Sequence, residues 1–229
     1  MAPDIDIFGL TIKEPMTTAT DYLVTAVGWW LGAKLLRPGK PGGRSAALWG
    51  IGFLWIGLAA LLGGTSHGFA VYLSDTGGFV IWKATVYAVG LSASFALAGS
   101  IAGAPLNQSS MRVMHTLNIL AFIVYGTWML NHSGFIYVIY HYVPVMTAIA
   151  ILQAYACAKK WSPGALWIVA GVLVTMTGAA IQRSGFSLHI HFNHNDLYHL
   201  VQVVGLVFFY RGITRVTAQR SQDHGETTA

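Results

Sequence analysis

Charge is what this sequence lacks most. Asp, Glu, Lys and Arg make up 9% of its 229 residues, against about 25% in an ordinary soluble domain. A soluble fold of this size would need roughly three times as many to clothe its surface. With 55% of the chain hydrophobic, the missing solvent is a bilayer. Cysteine is nearly absent too. Cys157 stands alone, which excludes an intrachain disulfide and any cysteine-based metal cluster. No basic stretch or small-residue cleavage site precedes the first apolar run, so no removable signal peptide is expected. The zinc-protease pattern HExxH does not occur, and the last apolar segment has no lysine to carry a retinal Schiff base.

What is present is oil in long runs. Seven segments, about 17–36, 45–66, 79–102, 111–130, 134–157, 164–182 and 195–214, are long and apolar enough to cross a hydrocarbon core of about 30 Å. They are joined by "RPGKPGGR", "SDTGG", "GAPLNQSS", "NHSG" and "KKWSPG", rich in residues that break helices. The expected architecture is all-α: one seven-transmembrane-helix bundle over residues 1–216, with 217–229 as a polar, disordered tail. The formal charge of +5 does not point to nucleic acid, because the cations fall in alternate loops. Lys34, Arg37, Lys40 and Arg44 occupy the first, Arg112 the third, Lys159 and Lys160 the fifth, and Arg211, Arg215 and Arg220 the C-terminal end. Asp4, Asp6, Glu14 and Asp75 lie on the other side, with only Lys13, Lys83 and Arg183 near them. By the positive-inside rule the N-terminus faces out and the C-terminus faces the cytoplasm, as in a multi-pass protein of the cell membrane.

Polar chemistry gathers at the outer end. "HIHFNHNDLYHL" puts His189, His191, His194 and His199 directly before an apolar segment. With a helix starting near Asn193, the residues Asn195, Asp196, His199 and Gln202 share one face. Such a face is costly in hydrocarbon unless it looks into the bundle. Asn193 and Asp196 also have the spacing of an N-cap and its N3 partner. "GGTSHGF" brings Thr65, Ser66 and His67 to the same level from the second segment, behind two glycines that permit close helix approach. In "EPMTTATDY", Thr17 or Thr18 is expected to cap the first helix, and Asp21, two turns beyond Glu14, to line the cavity or pair with Lys83 or Arg183.

Three histidines with a carboxylate suit zinc, which takes neutral imidazoles and leaves a position for water. The expected metal ligands are therefore His67, His194 and His199. Asp196 is the expected proton carrier and Ser66 the oxyanion donor. Asn195, Thr65, Gln202, Asp21 and His191 are expected around them.

This pattern resembles the CREST superfamily of alkaline ceramidases, adiponectin receptors and hemolysin III-like proteins. Its members are seven-helix membrane proteins holding zinc with a helix 2 histidine and an H-x-x-x-H pair on helix 7. His67 matches the first and His199 the second member of the pair, while Asn195 stands in the slot four residues before it. Where the family has a helix 2 serine this chain has Gly63, and its third segment contains no aspartate. The resemblance implies a zinc-dependent hydrolase of a membrane lipid such as a lipid amide. The alternative is a non-hydrolytic metal or haem-binding sensor, since facing histidines also suit haem. A transporter is disfavoured, because the inner half offers no matching polar path.

Overall fold

The computed structural model describes residues 4–37 and 43–226, with 216–226 as backbone only. Lys40, used above for orientation, and residues 227–229 of the expected tail lie outside the described residues. The fold is all-α. Its helices are α1 (Pro15–Leu36), α2 (Gly43–Gly68), α3 (Asp75–Gly103), α4 (Gln108–Asn131), α5 (Phe135–Ala158), α6 (Ala165–Ser184) and α7 (His194–Glu226). Each of the seven apolar segments coincides with one of them, two beginning one residue early at the N-caps Gly134 and Gly164. Residues 217–226 prolong α7 as helix.

Their ends follow local chemistry. Pro15 opens α1, where its missing N–H costs nothing. Ser74 caps α3 by accepting from the Gly77 N–H, and Asn107 caps α4 by accepting from Ser110. Asp75, expected in the preceding loop, is thus the first residue of α3. The Lys83 ammonium closes the C-terminal end of α4, donating to the carbonyls of Met129, Leu130 (3.4 Å) and His132 (2.6 Å). It is therefore not the partner of Asp21. Ahead of α1 lies a small antiparallel hairpin that was not expected, Ile5–Ile7 with Leu10–Ile12. Its turn residues Phe8 and Gly9 both have positive φ, as a two-residue hairpin requires.

Six helices, α2 to α7, are long and apolar enough to cross a membrane. The first, α1, is not among them; it carries Lys34 near its end and Thr17, Thr18, Thr20, Asp21 and Thr25 in its first half. The threonines and Asp21 are the polar face. All five are buried, so the polar face of α1 is turned inward. Helices α1, α2, α3, α5, α6 and α7 pack in a closed ring, each against the next, while α4 leans on α3 from outside and barely meets α5. Only Asn118, Tyr125 and Met129 of α4 are buried. Its exposed Leu117, Leu120, Val124 and Trp128 suit hydrocarbon.

Small residues let α1 and α2 touch backbone to backbone. A methyl added at Gly64 would stand 2.8 Å from the Asp21 Cβ and 3.0 Å from the Tyr22 ring, closer than carbons pack. One added at Gly63 would meet nothing nearer than 3.6 Å. Gly64→Ala is therefore expected to cost about 1–3 kcal/mol through overpacking, whereas Gly63→Ala leaves stability nearly unchanged. Unfolding of the two variants in mixed detergent micelles checks this; equal midpoints would contradict the close approach.

Candidate functional site

A cavity of about 150 Å³ opens between α1, α2, α3 and α7, near their ends on the hairpin side, with one residue each from α5 and α6. Ile56, Ala59, Ala60 and Val89 form apolar wall; Asp21, His67, Asn195, His199, Gln202 and Gln182 supply polar groups. Trp82, Thr85, Phe135 and Tyr198 complete the lining. The three sequence segments that looked polar thus meet in part at one place, but the partners within them differ from those expected.

The start of α7 is fixed first. The Asn193 side chain accepts from the Asn195 N–H at 2.7 Å, and Asp196 reaches back to the Asn193 N–H at 2.6 Å. This is a capping box with aspartate in the acidic position. The other Asp196 oxygen accepts from the Thr17 hydroxyl at 2.7 Å, and the carboxylate is fully buried. Both oxygens are engaged and Asp196 does not line the cavity, so its role is to pin α7 to α1. Thr17 is correspondingly a tertiary partner and not a cap, and the Thr18 hydroxyl bonds the Lys13 and Glu14 carbonyls. The N-cap position of α1 is Glu14, in left-handed conformation and without a side-chain cap.

One turn deeper, at the centre of the site, Asp21 faces His199. Oδ1 of Asp21 lies 3.2 Å from Nε2 of His199, and the two side chains are 6% and 9% exposed. The other ring nitrogen, Nδ1, lies 3.1 Å from the Thr20 hydroxyl. That hydroxyl directs its proton to the Met16 and Thr17 carbonyls, at 2.9 and 3.0 Å, so towards the ring it acts as acceptor for Nδ1–H. A neutral ring in that tautomer turns the Nε2 lone pair at a carboxylate oxygen. Two acceptors at 3.2 Å need a proton or a cation between them. The second oxygen of Asp21, Oδ2, is buried and has no hydrogen-bond partner.

His67 lines the same cavity from α2. Its Nδ1 stands 3.4 Å from Oε2 of Glu14, and the hydrogen bond from His67 holds the Glu14 carboxyl below the usual carboxylate range, against the opposing effect of its partial burial. With Nδ1 engaged, Nε2 is the nitrogen of His67 left for the cavity. Both cavity histidines therefore have Nδ1 oriented by an oxygen, the arrangement that surrounds metal-bound imidazoles. The 3.2 Å separation of Nε2 and Oδ1 is close to the edge of a zinc tetrahedron, about 3.3 Å for bonds of about 2.0–2.1 Å. The donor chemistry of Asp21, His199 and His67 fits a divalent metal, although among the described residues no three His, Cys, Asp or Glu side chains are drawn together into a formed cluster.

Other expected residues are less central. His194 is the first residue of α7, near enough to Glu14 for their charges to interact, and its Nδ1 is buried without a partner, but it does not line the cavity. Neither Ser66 nor Thr65 lines it; the Thr65 hydroxyl bonds the Leu61 carbonyl. His191 stays exposed in the loop, its ring stacked with that of His189. The residues that sequence reasoning missed are Thr20, Gln182, Trp82 and Thr85. Thr20 had a signal, since with Thr17, Asp21 and Thr25 it forms a polar stripe at helical spacing; the others needed the packing.

The class this defines is an all-α bundle with six membrane-length helices and a carboxylate–imidazole cavity at one end. Residues 16–218 match a family of unknown function (DUF6962), and the chain belongs to that family. Searches of curated proteins and of solved structures each returned no match.

Proposed function

We propose that this protein is a metal-dependent, integral membrane hydrolase acting on a lipid, with zinc held by His67, His199 and Asp21. The observation that carries the proposal is the Asp21–His199 contact: two buried acceptors at 3.2 Å, with the second Asp21 oxygen unpartnered, in a cavity that His67 also lines. In this reading Asp21 takes the place that His194 was expected to fill. The orientation is the one the loop charges support, with the site at the outer face and α1 as the seventh crossing.

A zinc ion would supply a water of pKa near 7 and polarise the carbonyl of the substrate. The chain's residues do the rest. Thr20 fixes the tautomer and rotation of His199, and Glu14 does the same for His67. Asp21 Oδ2, free of hydrogen bonds, takes the proton released from the attacking water and returns it to the leaving group. The amides of Gln202, Gln182 and Asn195 donate to the substrate's polar atoms, and Ile56, Ala60, Val89 and Phe135 exclude bulk water. About 150 Å³ is the size of a benzene-holding cavity. The site therefore admits the scissile head of a lipid and leaves its chains in the bilayer. A porphyrin is several times larger, which argues against the haem alternative.

The test is hydrolysis of fluorogenic N-acyl and O-acyl lipids by the full chain in micelles. Activity that disappears on chelation, returns with zinc and is absent from His199→Ala supports the reading. Turnover unaffected by chelation overturns it.

A further inference from the structure

The opposite end of the bundle carries a second cavity, of about 480 Å³, lined by Arg44 of α2, Ala102 of α3 and a single face of α4. That face is Gln108, Met111, Arg112, His115, Thr116 and Ile119, at spacings of three and four. The charge of Arg44 acts on the His115 ring, so the cations of α2 and α4 address one space. Among the described side chains no carboxylate answers them: the carboxylate–imidazole contacts His67–Glu14 and His199–Asp21 both lie at the other end. Asp4, Asp6 and Asp75 also precede or open helices at that other end. Two arginines converging with no acid beside them among the described side chains form an anion site, and guanidinium is the group that binds phosphate oxygens in pairs.

The lining is graded along α4. Gln108 and Arg112 lie in its first turns, His115 and Thr116 one turn further, and Ile119 deeper still. Met111, Ala102 and Ile119 add apolar floor beside the cations. A free phosphate has no use for that gradient. A phospholipid does, since its phosphate sits at the interface and its acyl chains run inward. We infer that the Arg44–Arg112–His115 cavity between α2, α3 and α4 binds the headgroup of an anionic phospholipid. Helix α4, which leans on the ring with little buried surface, is then held to α2 and α3 by a lipid bridging the arginines.

The experiment is native mass spectrometry of the full chain in detergent, with phosphatidylglycerol or phosphatidylcholine of identical acyl chains added. Phosphatidylglycerol should be retained in preference to phosphatidylcholine, and the preference should fall about thirty-fold in Arg44→Gln/Arg112→Gln, from roughly a factor of five per cation. Both arginines are exposed, and Arg44→Lys/Arg112→Lys, which keeps the charges, should keep most of the preference. Equal retention of the two lipids by the unaltered protein overturns the inference, and so does a glutamine variant with unchanged preference. Should inorganic phosphate displace the lipid at equal concentration, the site reads phosphate from any source and the commitment to lipid is wrong.

Discussion

His199→Ala is expected to destabilise the metal-free protein by about 1–3 kcal/mol, the cost of leaving a buried polar group without the partner it packs against. The group is the carboxyl of Asp21, which is 6% exposed and would keep no partner for either oxygen. Asp21→Asn keeps a polar group facing the ring and should cost less. The double variant should lose less than the sum of the two single variants, because each change removes the same contact. A double-mutant cycle on reversible unfolding in mixed micelles measures the coupling. A coupling of about 1–3 kcal/mol is expected; one near zero would mean that the two side chains do not depend on one another.

Asp196 makes the second large prediction, and it separates a structural carboxylate from a catalytic one. Asp196→Ala leaves the Thr17 hydroxyl and the Asn193 N–H without acceptors in a buried place. At about 1–3 kcal/mol for each stranded group, the loss should reach roughly 3 kcal/mol. Asp196→Asn keeps one carbonyl oxygen and should lose about half of that. The catalytic consequence is sharper than the energetic one. If the carboxylate only ties α7 to α1, folded Asp196→Asn retains metal and hydrolyses lipid within a few-fold of the unaltered chain. A loss of several orders of magnitude in a stable Asp196→Asn protein would return Asp196 to the reaction.

The seven helices were legible because hydrocarbon imposes one rule along the whole chain: about twenty apolar residues between polar punctuation. The capping box at Asn193 and Asp196 was legible too, since it depends only on residues three apart. The site was legible as a set of elements and not as a set of pairs. His199 and His67 were recognised because imidazole at membrane depth is expensive, and the structure puts both on one cavity. Asp21 was noticed, but Lys83 and Arg183 competed for it, and a sequence does not say which way a helix is turned. The rotation of α1 decides the matter. It buries Thr17, Thr20 and Asp21 against α7, which gives His199 a carboxylate and commits Asp196 to a threonine. Lys83 meanwhile finds the carbonyl-rich end of α4. The hairpin before α1 escaped notice because eight residues of "IDIFGLTI" carry no periodicity long enough to read.

Whether a metal belongs between Asp21 and His199 is tested most directly by elemental analysis of the purified full chain. About one equivalent of zinc or another divalent transition metal is expected in the unaltered protein and in Asp196→Asn, and almost none in His199→Ala or Asp21→Asn. Protein that is folded, never exposed to chelator and free of metal would contradict this expectation. The short contact between His199 and Asp21 would then be bridged by a proton, and the cavity would belong to a protein that carries protons rather than one that cuts lipids.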